Sequence, residues 1–495
     1  MDFNAKVGSR TQRLPILTAL LGAATFAFWM WLYPQVLSYQ EQNQLFLFTF
    51  DYFRERMALP GGFADWLSEF LVQFCYYRIA GALVFALLAV LLQRATWRAA
   101  RTDDNRKSRS LYLLSFIPSL LMLVYQGDVE VLASYPVALM LALCLCPLYT
   151  RAGWHRLWLI PLGWWLVGPV IIVPIVLSVI RGRQWADLLM LAYTALVFYA
   201  EYRLLAAQYP LRDALFGLNY YRLVESLPVL QWVIPIVTLL CILLCGLEIR
   251  FRDPLVPGLV TVVVLALCTW LGVHFSYDKD THETLAYDWL IRHERYTDVL
   301  KRAEKYQPHN PVSACSVNFC LFTEGQLNSR LTEFYQFGTG GLVLPGIRDN
   351  LSDITSAELL WMMGMPNITL QYAFDLQESI QNGRKSGRFM SRIAQCNIVN
   401  GWYDRAVKYL DILEHSLFYR KWAREQKALI QDESRVEADP VYAYIRNVRF
   451  QEDFITVYDS LDLMMAVLYN QNKNNFMAAE YYNAWQRLKS LEDAK

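Results

Sequence analysis

Residues 14–32, LPILTALLGAATFAFWMWL, decide the class of this protein, because the run contains no charged side chain. About 20 apolar residues are enough for a helix to cross the hydrocarbon core of a bilayer. The run follows three basic residues, Lys6, Arg10 and Arg13, and continues into Tyr33 without a small-residue cleavage site. We therefore predict a retained first span, not a signal peptide, in an all-α membrane protein whose amino end lies in the cytoplasm.

Outward from this run, charge divides the 495-residue chain into two parts. Residues 1–275 contain 21 Lys and Arg and 16 Asp and Glu, whereas residues 276–495 contain 25 and 29. We predict a polytopic transmembrane domain over 1–275, with a long first outer loop at 36–72, and a helical-repeat domain over 278–495. The net charge of +1 gives no basic footprint for nucleic acid, and the nine cysteines show neither zinc spacing nor a disulfide framework.

Seven further apolar runs follow, and they cover residues 74–93, 111–125, 129–149, 157–180, 185–200, 228–247 and 254–275. The run 157–180 contains three prolines and two glycines, so it is either one kinked span or two short, nearly re-entrant elements. Two crossings there place every basic segment on the cytoplasmic side, namely 94–109, 151–156, 181–183 and 250–252. We expect about eight or nine spans in a bacterial inner membrane, with the carboxyl-terminal domain in the periplasm.

The first outer loop is predicted to form two amphipathic helices along the outer interface. Leu45, Phe48, Tyr52 and Met57 recur near helical spacing, and Pro60-Gly61-Gly62 is a strong break before a second amphipathic piece. The loop resembles an uncharacterised family of Bacteroidetes membrane proteins with a helical-repeat tail. The resemblance is carried by Glu41…Gln44-Leu45-Phe46, Tyr52-Phe53, Pro60-Gly61-Gly62 and Phe70…Gln73-Phe74.

The order of first span, long outer loop and further spans is also similar to integral-membrane glycosyltransferases that use polyprenyl-phosphate sugars. This similarity covers residues 1–275 and implies one acid just after the first span and another in the second outer loop. Glu41 fits the first position, and Asp128 or Glu130 fits the second. Such acids hold a divalent metal against a donor phosphate or act as the base for an acceptor hydroxyl. Alternatively, Glu41 caps an interfacial helix and the other two form a polar turn.

Two arginines between the sixth and seventh runs complete this predicted site. Arg212 and Arg222 lie among tyrosines in a segment that the preferred topology places on the same side as Glu41. Guanidinium groups pair bidentately with phosphate, so either arginine is a candidate ligand for a lipid-linked phosphate. Arginine and tyrosine are also ordinary anchors at a membrane surface.

The water-soluble part shows a degenerate helix-pair pattern that resembles tetratricopeptide repeats. The clearest copies are Trp289-Leu290…Arg295-Tyr296…Leu300 and Gly401-Trp402-Tyr403-Asp404-Arg405-Ala406-Val407, and weaker ones centre on Gly325, Gly364 and Phe476. Each pair leaves an apolar face that only a neighbour covers, which predicts a curved α-solenoid. Its concave face either binds an envelope protein or peptide or packs on the membrane domain.

Two functions follow from these patterns. The first is a glycosyltransferase-like membrane enzyme that uses a lipid-linked sugar at the outer face of the inner membrane. In it Glu41 and Asp128 are catalytic, Arg212, Arg222 and Glu130 bind substrate, and a divalent metal is a candidate cofactor. The alternative is a membrane-anchored scaffold of the tetratricopeptide type for envelope protein assembly, or a lipid transporter.

Overall fold

The computed structural model describes residues 2–101, 111–182, 185–222, 228–247, 255–344, 349–450 and 461–493. No strand occurs in these residues; one isolated antiparallel bridge joins Val131 and Tyr221. The chain forms two compact units, Met1–Glu41 with Thr49–Asp278 and Gln42–Phe48 with Lys279–Lys495. The basic residues predicted to mark cytoplasmic loops at 106, 107, 109, 183, 250 and 252 lie outside the described residues. The all-α prediction is confirmed for the described chain.

The first unit is built from helices that alternate between long apolar segments and short connecting elements. They are α1 (Asp2–Ala27), α2 (Pro34–Gln42), α3 (Phe50–Arg56), α4 (Gly62–Val72), α5 (Arg78–Ala100), α6 (Ile117–Tyr125), α7 (Ser134–Arg151), α8 (Arg156–Val167), α9 (Ile172–Gly182), α10 (Trp185–Leu205), α11 (Leu211–Phe216), α12 (Leu230–Cys245) and α13 (Leu255–Ser276). A π-helical turn, Phe28–Leu32, continues α1.

Five helices in the described residues are long and apolar enough to cross a membrane. They are Leu14–Leu32, Arg78–Ala100, Ser134–Arg151, Asp187–Leu205 and Gly258–Ser276. Three predicted spans are shorter helices instead, because Tyr112–Tyr125, Pro169–Gly182 and Leu230–Cys245 do not reach 18 residues. The expectation of eight or nine spans is therefore not supported, whereas the several apolar helices agree with association with a membrane.

The run 157–180 is two short helices, because α8 ends at Gly168 and α9 begins after a 3-10 turn at Pro169–Ile171. Gly168 has a φ of +78°, which favours glycine, and a Cβ there would lie 2.7 Å from the Tyr220 hydroxyl. At 1.5 Å per residue, neither helix reaches the roughly 30 Å of a hydrocarbon core. The break is intrinsic to this glycine and the proline that follows it.

The outer loop also contains two helices, but the first begins later than its apolar spacing indicates. α3 starts at Phe50, where the Thr49 hydroxyl oxygen accepts the Tyr52 N–H, so Leu45 and Phe48 lie outside it. The glycines after Pro60 form the corner between α3 and α4. Gly61 has a φ of +79°, and a Cβ on Gly62 would overlap the carbonyl oxygen of Arg56. The corner therefore requires both glycines.

The second unit contains thirteen helices in its described residues. They are α14 (Lys279–Arg292), α15 (Tyr296–Lys305), α16 (Pro311–Thr323), α17 (Leu327–Arg330), α18 (Asn350–Met362), α19 (Pro366–Glu378), α20 (Gly387–Val399), α21 (Tyr403–Glu414), α22 (Arg420–Leu429), α23 (Glu433–Ala438), α24 (Pro440–Val448), α25 (Leu461–Gln471) and α26 (Phe476–Asp493).

Four helix ends in this unit share one turn geometry. After α14, α16, α18 and α20, a backbone N–H bonds the carbonyl five residues earlier, and the residue before that N–H is left-handed. This is the Schellman arrangement, which satisfies the last carbonyls of a helix. The left-handed residues are Glu294, Gly325, Gly364 and Gly401. Their irregular spacing agrees with a degenerate helix-hairpin repeat, although a tetratricopeptide solenoid is not established by it.

The carboxyl-terminal helices do not extend the row of hairpins. Tyr481 and Leu488 of α26 and Met464 of α25 share one buried cluster with Phe319 of α16 and Leu300 of α15. The last helices therefore return to the first hairpins and cover apolar surface there. The tetratricopeptide solenoid that the sequence predicts is therefore not confirmed.

Residues 42–48 belong to the second unit, and 44–48 form a segment without regular secondary structure after the end of α2. The Leu45 N–H donates to the Lys385 carbonyl at 2.7 Å, and the Phe48 N–H donates to the His415 carbonyl at 2.9 Å. The Leu45 side chain is 5% exposed and lies among apolar residues of α20, α21 and α22, namely Met390, Ala394, Leu410, Leu413 and Ala423. Helices of the second unit thus pack against a non-helical segment from an earlier part of the same chain.

We expect Leu45→Ala to destabilise the second unit by about 2–3 kcal/mol, because it leaves a cavity among α20, α21 and α22. The measurement is amide hydrogen exchange of the full chain in detergent, with faster exchange in the peptides that cover these helices. Phe50→Ala removes a side chain that is 76% exposed and serves as the control. Unchanged protection in α20–α22 of the Leu45 variant would contradict the assigned packing.

Candidate functional site

Two loops that the sequence analysis assigned to one side of the membrane lie against each other. The Arg222 N–H donates to the Glu130 carbonyl at 3.0 Å, and the Leu132 N–H donates to the Tyr220 carbonyl at 3.0 Å. The bridge between Val131 and Tyr221 lies between these bonds. The loop after α6 and the segment after α11 therefore form a short antiparallel pair, which brings three predicted site residues together: Asp128, Glu130 and Arg222.

Both carboxylate oxygens of Asp128 have partners within this pair of loops. Oδ1 accepts the backbone N–H of Glu130 at 3.0 Å, and Oδ2 accepts the Tyr221 hydroxyl at 2.7 Å. The first contact spans two residues and is typical of an aspartate that closes its own turn. This geometry favours the interpretation of Asp128 as a turn-forming residue that also fixes Tyr221.

Glu130 and Arg222 form a buried ion pair across the two loops. The distance from Arg222 Nε to Glu130 Oε2 is 3.4 Å, and Arg222 is 8% exposed. Tyr39 of α2 covers the pair: its hydroxyl donates to Glu130 Oε1 at 3.4 Å, and the Arg222 guanidinium lies 5.2 Å from its ring centroid. Among the described residues, buried Nη1 of Arg222 has no hydrogen-bond partner. Within the described residues, this nitrogen is the part of the guanidinium that a further acceptor would meet.

Burial raises the pKa of Glu130, and the neighbouring charge of Asp128 adds to the increase. Arg222 and the Tyr39 hydroxyl oppose this shift without cancelling it. A carboxyl group whose pKa moves toward neutrality exchanges protons more readily at physiological pH than an exposed one. A carboxyl whose pKa is shifted by burial and that lies beside a specific charged partner is a recognised property of functional sites.

α2 contacts this site through Tyr39 and Gln40, which the sequence analysis did not select. Gln40 Nε2 donates to the carbonyls of Val131 at 2.7 Å and Val129 at 3.3 Å. The predicted residue of α2, Glu41, is 3% exposed, and its charge adds to burial in raising the pKa of the Cys75 thiol. Glu41 therefore lies near the residues that precede α5.

Arg212 occupies a different environment from Arg222. It lies exposed on α11, and its guanidinium is 5.8 Å from the ring centroid of Phe216 on the same helix. In the part of the chain that the structure describes, no ion pair or hydrogen bond joins it to Glu130 or Asp128. This position is typical of an interface anchor.

The described residues contain no group of three or more His, Cys, Asp or Glu side chains able to hold a metal ion. Asp128 and Glu130 are two carboxylates of one turn, and both accept hydrogen bonds from the protein. The groups that this cluster offers are the Glu130 carboxyl, which can transfer a proton, and the Arg222 guanidinium, which can bind an anion.

Sequence reasoning missed Tyr39, Gln40 and Tyr221 in this site, and it missed a second buried cluster in the outer loop. There Arg56 Nε lies 3.3 Å from Glu69 Oε2, and the Tyr52 hydroxyl donates to the same carboxylate. The spacing of four residues between Tyr52 and Arg56, and between Asp65 and Glu69, was the available signal, because it places each pair on one helix face.

One family model, described as "Family of unknown function (DUF6057)", matches residues 9–490. No curated protein and no solved structure matches the chain. The match extends across both units, and the description of the family states no activity.

Proposed function

The chain belongs to the DUF6057 family of unknown function, and from the site itself we propose that it is a glycosyltransferase-like membrane enzyme. Its substrate in this proposal is a polyprenyl-phosphate-linked sugar, taken at the outer face of a bacterial inner membrane. The arginines that follow α5 support a cytoplasmic amino end, and with it an outer position for the loop after the first span. Soluble nucleotide sugars are not the donors on that side of the membrane.

The observation that carries the proposal is the buried pair of Glu130 and Arg222. A carboxyl with a raised pKa and a guanidinium with one buried, unsatisfied nitrogen among the described residues lie side by side. These are the two groups that transfer from a phosphate requires: one to accept a proton and one to meet the charge that develops on the leaving group.

In the proposed reaction, Glu130 takes the proton of an acceptor hydroxyl as that oxygen forms a bond to the anomeric carbon of the sugar. The bond between this carbon and the phosphate oxygen breaks, and the lipid phosphate leaves with the electron pair. Nη1 of Arg222 donates a hydrogen bond to the departing phosphate. Tyr39 holds Glu130 in place, and Asp128 holds the turn that carries it. Arg212 takes no part in this step.

We expect Arg222→Gln to reduce transfer about 100-fold, which corresponds to roughly 2.7 kcal/mol of lost transition-state stabilisation. Cells that carry only this variant should lose a surface glycan and accumulate its lipid-linked donor, both measured by mass spectrometry. Arg203→Gln, an exposed arginine in the same region of the chain, is the control and should leave both species unchanged.

The melting temperature of the variant separates catalysis from folding. A variant that melts like the wild type but accumulates the donor supports the proposal. Glu130→Gln should give the same accumulation without loss of the folded protein. Wild-type levels of the glycan and of every lipid-linked sugar in both strains would refute the enzymatic function.

A second candidate function is a membrane-anchored scaffold for envelope proteins. It is favoured by residues 42–48, which the rest of the second unit holds through two backbone hydrogen bonds and the buried Leu45 side chain. Helical repeats bind peptides in this manner. Retention of envelope proteins by the wild type, and their loss in Leu45→Ala with normal glycan levels, would favour the scaffold over the enzyme.

A further inference from the structure

A cationic cavity of about 520 Å3 lies between α1, α5 and α7. Three arginines line it, Arg94, Arg98 and Arg101, and they come from the carboxyl-terminal part of α5 and the residue just after it. Intervals of four and three residues place them along one face of the helix. The cavity therefore concentrates positive charge at the end of a helix that is long and apolar enough to cross a membrane.

Within the residues that the structure describes, Arg94 and Arg98 supply exposed positive charge to this cavity. No carboxylate there forms an ion pair with Arg94 or Arg98, and both side chains are exposed. A cluster of guanidinium groups at the end of a span attracts anionic phosphate, which accepts several hydrogen bonds from such groups. The cavity thus has the charge of a phosphate site.

The remaining walls of the cavity are apolar and aromatic. The lining includes Leu14 of α1, Trp97 of α5, Met140 of α7 and Tyr112 of the 3-10 turn before α6. Trp97 and Tyr112 stack edge to face with ring centroids 4.9 Å apart. Aromatic residues beside arginines are characteristic of the boundary between headgroups and hydrocarbon.

Buried hydrogen bonds hold the walls of the cavity in position. The Thr18 hydroxyl donates to Gln93 Oε1 at 3.1 Å and lies 2.5 Å from the Tyr112 hydroxyl, and Gln93 Nε2 donates to the Ser115 hydroxyl at 2.8 Å. These bonds join α1, α5 and the turn before α6. Polar groups within apolar helices make such bonds because unsatisfied groups there are costly. The cavity is therefore formed without a ligand.

An apolar groove of about 620 Å3 lies next to this cavity, between α1, α6 and α13. Its lining on α1 runs from Leu17 to Tyr33, roughly 24 Å of helix. A hydrophobic cluster lies between the two sites, because Trp97 from the cavity and Leu265 from the groove both pack against the cluster of Leu21, Tyr112 and Phe116. A molecule with an anionic head and an apolar chain fits both.

We propose that the cavity binds the phosphate headgroup of an anionic phospholipid whose acyl chain lies in the groove between α1, α6 and α13. The arginines meet the phosphate, Trp97 and Tyr112 lie at the level of the glycerol backbone, and Leu17 and Leu265 contact the chain. By the positive-inside argument, this site belongs to the cytoplasmic leaflet, the side on which anionic lipids attract basic segments. The site does not involve Glu130 or Arg222, so it does not depend on the proposed enzymatic function.

The test uses the full chain, purified in a neutral detergent and titrated with dioleoyl phosphatidylglycerol. Dioleoyl phosphatidylcholine has the same chains without net charge, and inorganic phosphate has the charge without the chains. We expect a higher melting temperature, and retained lipid in native mass spectrometry, with phosphatidylglycerol alone. Arg98→Gln should weaken the apparent affinity about tenfold, and Arg94→Gln with Arg98→Gln about 100-fold.

Arg151→Gln is the matched control, because this exposed arginine ends α7 and does not line the cavity. It should bind phosphatidylglycerol like the wild type. Equal stabilisation by phosphatidylcholine would overturn the headgroup assignment, and equal stabilisation by inorganic phosphate would overturn the assignment of the groove. Unchanged affinity in Arg98→Gln would overturn the proposal even if the double variant failed to fold, because this single change removes an exposed side chain.

Discussion

Arg388→Ala is expected to lower the free energy of unfolding of the second unit by about 3–5 kcal/mol, because it removes the cation that pairs with buried Asp288 and one of the two that pair with Glu358. Arg388 bonds both oxygens of Asp288 at 2.9 Å and Oε1 of Glu358 at 2.9 Å, and it donates to Gln42 Oε1 at 2.7 Å. One side chain of α20 thus joins α14, α18 and the segment 42–48. Its loss should appear as a lower transition temperature and as faster amide exchange in these elements.

The same variant should show a defined dependence on pH. Burial alone would raise the pKa of Glu358, but Arg392 and Arg388 lower it from 4.5 to about 2. A lowered pKa in the folded state means that this carboxylate stabilises the fold above pH 4.5 and loses its contribution as pH falls toward 2. The stability difference between wild type and Arg388→Ala should therefore be largest near neutral pH and smaller near pH 2.

Arg435→Ala is the control for this prediction. Its side chain is 66% exposed and pairs with Asp432 on the surface, where an ion pair contributes at most about 1 kcal/mol. An Arg388 variant no less stable than the Arg435 variant would show that solvent or rearrangement compensates the acids. A stability difference that did not decrease at low pH would contradict the part assigned to Glu358.

Features carried by local sequence could be predicted, and those that depend on tertiary contacts could not. The long apolar runs form helices whose length and composition suit a membrane span. Gly325, Gly364 and Gly401 mark turns, because each adopts a left-handed conformation. Glu294 forms the same turn without being glycine, so its position carried no signal. The spacing of Leu45 and Phe48 predicts a helix. Their backbone N–H groups instead bond the carbonyls of Lys385 and His415, and residues 44–48 are not helical.

The candidate site shows the same division. Asp128, Glu130 and Arg222 were candidates because acids and arginines in outer loops are conspicuous, and the structure joins them. The Tyr39 hydroxyl and the Gln40 amide complete the cluster, but tyrosine and glutamine at the start of a loop have too many ordinary roles to be selected from sequence. The charged residues of the two outer-loop helices received no role in the sequence analysis, although the face that carries Arg56 and Glu69 is buried.

The second large effect on stability is expected where this buried face lies, in α3 and α4 of the outer loop. Arg56→Ala is expected to destabilise the first unit by about 3–5 kcal/mol. Arg56 is 3% exposed and lies 3.3 Å from Glu69, which is fully buried, and its guanidinium lies 4.9 Å from the Tyr52 ring centroid. Asp65 is also buried and raises the local negative charge. Without Arg56, two carboxylates remain in an environment that disfavours charge.

The chain contains a closely matched control two residues away. Arg54 lies on the same helix, but its side chain is 75% exposed and pairs with exposed Asp51, so Arg54→Ala should cost less than about 0.5 kcal/mol. Thermal unfolding of both variants in the same detergent measures the difference. The comparison holds helix propensity, net charge and side-chain size constant, so burial of the ion pair is the variable that remains.

A further change separates the charge of Glu69 from its packing. Arg56→Ala combined with Glu69→Gln removes the uncompensated charge while it keeps the shape of the side chain, and it should recover part of the lost stability. Tyr52 then still donates its hydroxyl hydrogen to the amide oxygen. If the double variant is less stable than Arg56→Ala alone, the principal role of Arg56 is to pack against Tyr52 and not to neutralise the buried acids.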